Sequence, residues 1–224
     1  SQRNEKLAGT IGDFGIYSFH SHKNITTLGE GGMITIKEKK FAEEIAKLRH
    51  NGHCGFDFDR EKYWLPAMGN LDLSIIDGET LLPNNYCISE TQCALGSVLL
   101  DRVDEINETK RTRAIKFIDE LKNYEFLKFH RVESKEHNYH LLAAYFSIKD
   151  LRDKFISEMA KEMKIQCAVQ YYPLNRYDFY KKLGLGKANC ENADNFFDNM
   201  VSFPFHSRVS DAEFEYILES TKKI

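Results

Sequence analysis

The chain of 224 residues predicts an α/β protein in two parts. Three observations carry that reading. Two short β-prone runs flank a glycine-rich loop between 15 and 36. A long amphipathic stripe opens at Ser89. From 141 onward, strand-like and helix-like segments alternate to the end of the sequence. Hydrophobic residues make up 42% and charged residues 29%, the balance of a chain that can bury a core and keep a polar surface.

The elements follow in order. Gly15 to Phe19 (GIYSF) and Met33 to Ile36 (MITI) are apolar and β-prone, and HSHKNITTLGEGG between them reads as a loop. A helix is expected over 39–49, with Phe41, Ile45 and Leu48 on one face. Residues 51–83 mix glycine, aspartate and aromatics without sustained period; such segments are usually functional or lie at an interface. Ser89 and Gln92 have the spacing of a capping box and should open a long helix. Its stripe, Leu95, Leu99, Val103 and Ile106, lapses over Glu108 to Arg113 and resumes at Ala114, Ile118 and Leu121. A solvated helix middle between two packed bodies would produce that lapse, so the domain boundary is expected there, giving parts 1–110 and 111–224.

In the second part LLAAYFSI (141–148) reads as a buried strand. Residues 150–164 read as a helix capped by Asp150, with Leu151, Phe155, Met159 and Met163 on one face. A strand is expected over 165–171, with Ile165, Cys167 and Val169 on one side. Helices near 176–183 and 191–199, a short strand at 201–203 and a last helix opened by Ser210 and Glu213 complete the alternation.

Several classes of function are set aside. The net charge of −3 supplies no field for nucleic acid or an anionic membrane. The longest wholly apolar run, Leu141 to Phe146, is far too short to span a bilayer, and the first residues contain no signal-peptide core. Cys54, Cys87, Cys93, Cys167 and Cys190 form no CxxC pair, which points to a reducing, cytoplasmic compartment and no structural metal. The histidines show no metal-ligand spacing, and the acidic pair Asp57 and Asp59 reads as solvated.

The chemistry-bearing stretch is Gly12 to Met33. A strand ends near Ser18, and Lys23 follows in a loop dense with hydroxyls, imidazoles and glycines. A loop lysine is ordinarily a solvated charge. Held in a partly buried polar loop, it can instead lose its proton and become a nucleophile toward a carbonyl, with Ser18 and glycine amides available to hold an attached phosphate. GEGGM lacks the Lys-Ser/Thr of a nucleotide-binding P-loop. His20 and His22 flank the lysine and read as hydrogen-bonding the loop rather than as a proton relay.

The run Ser18-Phe19-His20-Ser21-His22-Lys23-Asn24, followed by Thr26-Thr27 and Gly29-Glu30-Gly31-Gly32-Met33, resembles the signature of the DegT/DnrJ/EryC1/StrS aminotransferases. A second run, Asn85 to Gly96, is similar to that family's N-Y-R-M-x-E-x-Q-A-A-x-G, with Cys87 in place of the arginine. AVQYYPLNRYDFY and the closing helix, strand and helix extend the resemblance over nearly the whole chain. It implies an aspartate-aminotransferase-like fold (fold type I), in which 1–110 is the latter part of the cofactor-binding large domain and 111–224 the small domain. It implies pyridoxal 5′-phosphate as cofactor, with Lys23 as its Schiff-base lysine, Ser18 on its phosphate, and Asn85 reaching the phosphate in the other subunit of a homodimer. It also implies that the pyridine-nitrogen aspartate and the ring-stacking aromatic belong to a part of the family preceding Ser1.

The expected activity is transfer of an amino group from an amino acid, glutamate by family habit, to a keto sugar, usually nucleotide-linked, in cell-surface polysaccharide or amino-sugar biosynthesis. Two alternatives stand beside it. Related sugar dehydratases replace the lysine, so Lys23 argues against them; a non-catalytic fragment or regulatory protein is the reading from another class.

Overall fold

A computed structural model describes residues 1–52, 78–79, 81–130, 136–148 and 150–223. Most of the irregular 51–83 segment, including Cys54, Asp57 and Asp59, lies outside the described residues. The backbone divides into two compact units, Gln2–Asp101 and Arg102–Ile224.

In the first unit β1 (Gln2–Arg3) and β2 (Lys6–Leu7) form a minimal hairpin. The expected β-prone runs become β3 (Phe14–Ser18) and β4 (Gly32–Ile36), antiparallel, with Phe14 opposite Ile36 and Ser18 opposite Gly32. Helix α1 (Lys39–Leu48) follows, its Phe41, Ile45 and Leu48 half-buried as the spacing requires. Helix α2 (Glu90–Asp101) opens through the expected capping box. The Ser89 backbone N–H donates to Gln92 Oε1 (3.0 Å), and the Gln92 N–H donates to Ser89 Oγ (3.3 Å). These reciprocal bonds satisfy two amides at the start of the helix that have no partner within it.

The second unit begins with α3 (Val103–Leu121) and builds one antiparallel sheet, ordered β5 (Leu127–Phe129), β6 (Leu142–Phe146) and β7 (Met200–Phe203). Alternation along β6 sends Leu142, Ala144 and Phe146 inward. They join Phe117 of α3, Phe155 and Met159 of α4 (Leu151–Lys161), Phe203 of β7, and Phe214 and Leu218 of α7 (Asp211–Lys223) in one core. Between α4 and β7 lie a 3-10 turn (Leu174–Arg176), α5 (Asp178–Lys182) and α6 (Glu191–Asn199). Arg176 clamps this excursion: its Nε donates to Asp194 Oδ1 (2.6 Å) and its Nη1 and Nη2 to the two oxygens of Asp198 (2.6 and 2.8 Å). That fork geometry is the strong form of an arginine–carboxylate pair.

Four local expectations change. The two units divide between Asp101 and Arg102, after the end of α2 and before the start of α3, and not at 110/111. The stretch Glu108 to Arg113 is no solvated helix middle. Lys110 is 4% exposed and donates from Nζ to the carbonyls of His140 (3.2 Å) and Phe205 (2.6 Å). Arg113 donates to Val209 O (2.7 Å) and to Asp211 Oδ1 (2.7 Å), while Arg111 pairs with Glu108. Long basic side chains bury their stems and spend their donors on carbonyls, so this polar stretch is a packed face of α3. Asp150 precedes α4 in the left-handed region (φ 66°), away from the extended backbone of a capping residue, and its side chain makes no cap bond. Finally, 165–171 forms one bridge, Ala168 to Ser202, although Ile165 and Cys167 are buried as predicted.

Candidate active-site loop and its comparison with known proteins

The site grows out of the β3–β4 hairpin. Beyond Ser18 the chain cannot turn directly into β4, because thirteen residues, 19–31, must be accommodated. They fold back on themselves through backbone bonds. The Phe19 N–H donates to Gly31 O (2.8 Å), Ser21 N–H to Gly29 O (2.8 Å), Thr27 N–H to Phe19 O (3.0 Å) and Lys23 N–H to His20 O (2.9 Å). Lys23 is thereby half-buried at the turn of a closed loop, not on a free surface excursion. Ser18, at the strand end, accepts one long hydrogen bond from His20 N–H (3.4 Å), and its own hydroxyl proton has no acceptor among the described residues.

The two histidines organise the loop. His20 Nδ1 accepts the His22 N–H (3.2 Å), so in the neutral ring the proton sits on Nε2, 3.7 Å from Glu30 Oε1. The two imidazoles meet edge to face with centroids 4.8 Å apart. Thr26 Oγ1, three residues beyond Lys23, is buried with no hydrogen-bond partner among the described residues.

The loop is seated on α2. Thr27 is 2% exposed, and its hydroxyl donates to Glu30 O (2.9 Å). A Cβ on Gly31 would run into Thr27 Oγ1, and one on Gly96 of α2 would stand 3.0 Å from Thr27 Cγ2. The two glycines therefore form the notch that receives Thr27. From the same face of α2, Gln92 Nε2 donates to Glu30 O (2.8 Å) and to Thr27 O (3.2 Å).

Asn85 stands on a different ladder. Residues 84–86 pair with the end of α1 through Asn84 N–H to Leu48 O (2.9 Å) and Tyr86 N–H to Arg49 O (2.8 Å), with a bridge between His50 and Asn85. Asn85 is exposed, and its Oδ1 accepts the Cys87 N–H (3.1 Å), an Asx turn that leaves Nδ2 to donate elsewhere. Ser18 and Lys23 thus share one hairpin end, whereas Asn85 is presented separately. Cys87 lies against Arg49, whose Nη1 is 3.8 Å from the sulfur, so a guanidinium stands beside the position where the resemblance expects an arginine side chain.

Sequence reasoning missed three participants: Thr27, Gly96 and the second role of Gln92. The signal was present, since Gln92 and Gly96 are four apart on one helix face and both fall within the second matching run. Among the described residues, no helix is long and apolar enough to cross a membrane.

Comparison with known proteins gives the family and the fold. The model of the DegT/DnrJ/EryC1/StrS aminotransferase family matches residues 1–222. The UDP-4-amino-4,6-dideoxy-N-acetyl-beta-L-altrosamine transaminase of Campylobacter jejuni serotype O:23/36 is 31% identical over 233 residues, covering 100% of this chain and 57% of that protein. Among solved structures, Helicobacter pylori PseC, an aminotransferase involved in the biosynthesis of pseudoaminic acid, superposes with a TM-score of 0.82 at 22% identity, over 99% of this chain and 56% of that one. The PMP-form of Spr1654 from Streptococcus pneumoniae, a sugar aminotransferase by its description, gives 0.80 at 26% identity, over 98% and 54%. The chain spans a little over half the length of the relatives it matches, and over that span its fold is the aspartate-aminotransferase-like one (fold type I). A match that runs from the first residue to the closing helix means that the chain belongs to the DegT/DnrJ/EryC1/StrS aminotransferase family.

Proposed function

We propose that this chain carries the lysine-bearing part of a pyridoxal-phosphate-dependent aminotransferase that moves an amino group from an amino acid, glutamate by family habit, to a keto sugar. The observation that carries the reading is the closed loop that holds Lys23 half-buried five residues after the Ser18 hydroxyl. The donor set suits a phosphorylated aldehyde. Lys23 offers a primary amine, Ser18 a hydroxyl whose proton is unspent, Thr26 a buried hydroxyl without a partner among the described residues, and Asn85 an amide nitrogen. When bound, the group supplies an electron-withdrawing ring and a carrier for the amino nitrogen between two substrates.

The chain's own residues do the rest. Lys23 Nζ would hold the group at its aldehyde carbon, with loss of water, and as a free amine it would take the proton from the substrate Cα and return it. Ser18 Oγ would donate to a phosphate oxygen of the group. Asn85 Nδ2 would donate to a phosphate oxygen in a second subunit, which requires an active assembly of at least a homodimer; twofold symmetry would make the contact reciprocal. The loop amides of Ser21, Lys23 and Thr27 are already bonded to loop carbonyls, and Lys23 is therefore oriented by backbone before any ligand arrives. Nucleotide-linked sugars and a role in surface polysaccharide or amino-sugar formation belong to the same proposal, supported by the names of the relatives; a cytoplasmic location belongs to it on the unpaired cysteine pattern of the sequence.

Treatment with pyridoxal 5′-phosphate and then borohydride, followed by peptide mapping, should place the pyridoxyl group on Lys23. Lys23→Ala should abolish glutamate-dependent transamination in the protein that carries this chain. A pyridoxyl group on a different lysine refutes the assignment.

A further inference from the structure

Gln92 occupies the third position of α2, where a glutamine or glutamate ordinarily serves the helix start alone. Here only Oε1 does so, accepting from Ser89 N–H and Ser89 Oγ–H, each at 3.0 Å. The amide nitrogen turns the other way and donates both of its hydrogens, one to Glu30 O and one to Thr27 O. Those carbonyls bracket the return limb of the Lys23 loop. Thr27 N–H is bonded back to Phe19 O, and Gly31 O receives the Phe19 N–H, so a pull on 27–31 is transmitted to the limb that carries Lys23. Thr27 completes the seat by filling the notch between Gly31 and Gly96. One side chain therefore fixes the helix start and the lysine loop at once, and neither end of its amide is spare.

We infer that Gln92 is a positioning residue for Lys23: its Nε2 latches the loop to α2 and sets where the lysine amine stands. The inference rests on the reading of Lys23 as the nucleophile, and goes beyond it by naming what holds that lysine. A capping role and a latching role separate cleanly by substitution. Gln92→Glu keeps the oxygen that Ser89 needs, but replaces the donor nitrogen with an oxygen facing two carbonyls. Ser89→Ala removes the cap hydroxyl and leaves Nε2 untouched.

The test is amide hydrogen exchange followed by mass spectrometry on the 224-residue chain, with pyridoxal 5′-phosphate and borohydride trapping at Lys23 as the second readout. In Gln92→Glu the peptides covering 19–31 should exchange about ten-fold faster or more, the effect of losing two bonds that hold a local opening equilibrium closed. The first turn of α2 should keep its protection, and Lys23 should be trapped several-fold more slowly. Ser89→Ala should do the reverse, loosening the first turn of α2 and sparing the loop. Unchanged exchange of α1, which belongs to the same unit as the loop and α2, reports in both variants that this unit is still folded. The inference is overturned if Gln92→Glu leaves 19–31 as protected as in the wild type, or if the loop loosens and Lys23 is trapped at the wild-type rate. A wild-type adduct on another lysine instead refutes the reading of Lys23, whatever the exchange shows.

Discussion

Stability should rise with pH on the alkaline side, and Lys110 is the reason. Its ammonium is buried in the second unit with two backbone carbonyls as acceptors and the Phe205 ring 4.8 Å from Nζ, and no carboxylate is paired with it among the described residues. Burial pushes its pKa down to about 8, against 10.5 for a solvated lysine. Between those values the unfolded chain binds the extra proton, so deprotonation favours the folded state, and stability increases as pH climbs through 8 toward 10.5. At 1.36 kcal/mol per pH unit the full gap corresponds to about 3 kcal/mol, of which about 2 kcal/mol is gained between pH 7 and pH 9.5. Cys167 pulls the other way. Burial raises its thiol to about 12, so near pH 9.5 the unfolded thiol ionises while the folded one does not, costing about 1 kcal/mol. Lys110→Met isolates the lysine, since Cys167 contributes equally to both proteins. Urea unfolding at pH 7 and pH 9.5 should show the wild type gaining about 2 kcal/mol more than Lys110→Met over that interval. Equal pH dependence in the two proteins would refute the argument.

Two further outcomes follow from the second unit. Phe155 is buried between Phe146 and Phe203, with centroids at 5.1 and 6.0 Å, so Phe155→Ala should lower the unfolding free energy by about 3–5 kcal/mol, read from the urea midpoint. Ser210→Ala removes the hydroxyl that accepts Glu213 N–H (3.2 Å) and donates to Glu213 Oε2 (2.8 Å) at the start of α7; a loss of about 1 kcal/mol is expected, and an unchanged midpoint would mean that the box contributes nothing.

What the sequence made legible is local, and what it hid is long-range. Capping boxes need only residues three apart, and both, at Ser89 and at Ser210, form as read. The period-two pattern of β6 and the Phe41, Ile45 and Leu48 spacing of α1 likewise depend on neighbours along the chain. Lys110 and Arg113 read as solvated because a polar run looks so until the carbonyls that receive its donors are known, and those of Phe205 and Val209 lie 95 and 96 residues away from Lys110 and Arg113. Asp150 is a capping residue by type, but its left-handed backbone is not the extended one from which a side chain caps a helix. The site divides along the same line. Spacing alone took Lys23 no further than a loop lysine, and its role came from the resemblance that the whole signature carries. The device seating that loop could not be read locally, because the two carbonyls that Gln92 holds are 65 and 62 residues distant. The β3–β4 hairpin marks the same boundary from the other side. Its propensity and pairing were legible, yet Ile16 stands 84% exposed, with Phe14, Met33 and Ile34 also open. A β-branched apolar strand residue encodes that a strand forms and that one of its faces is apolar; it does not encode what covers that face.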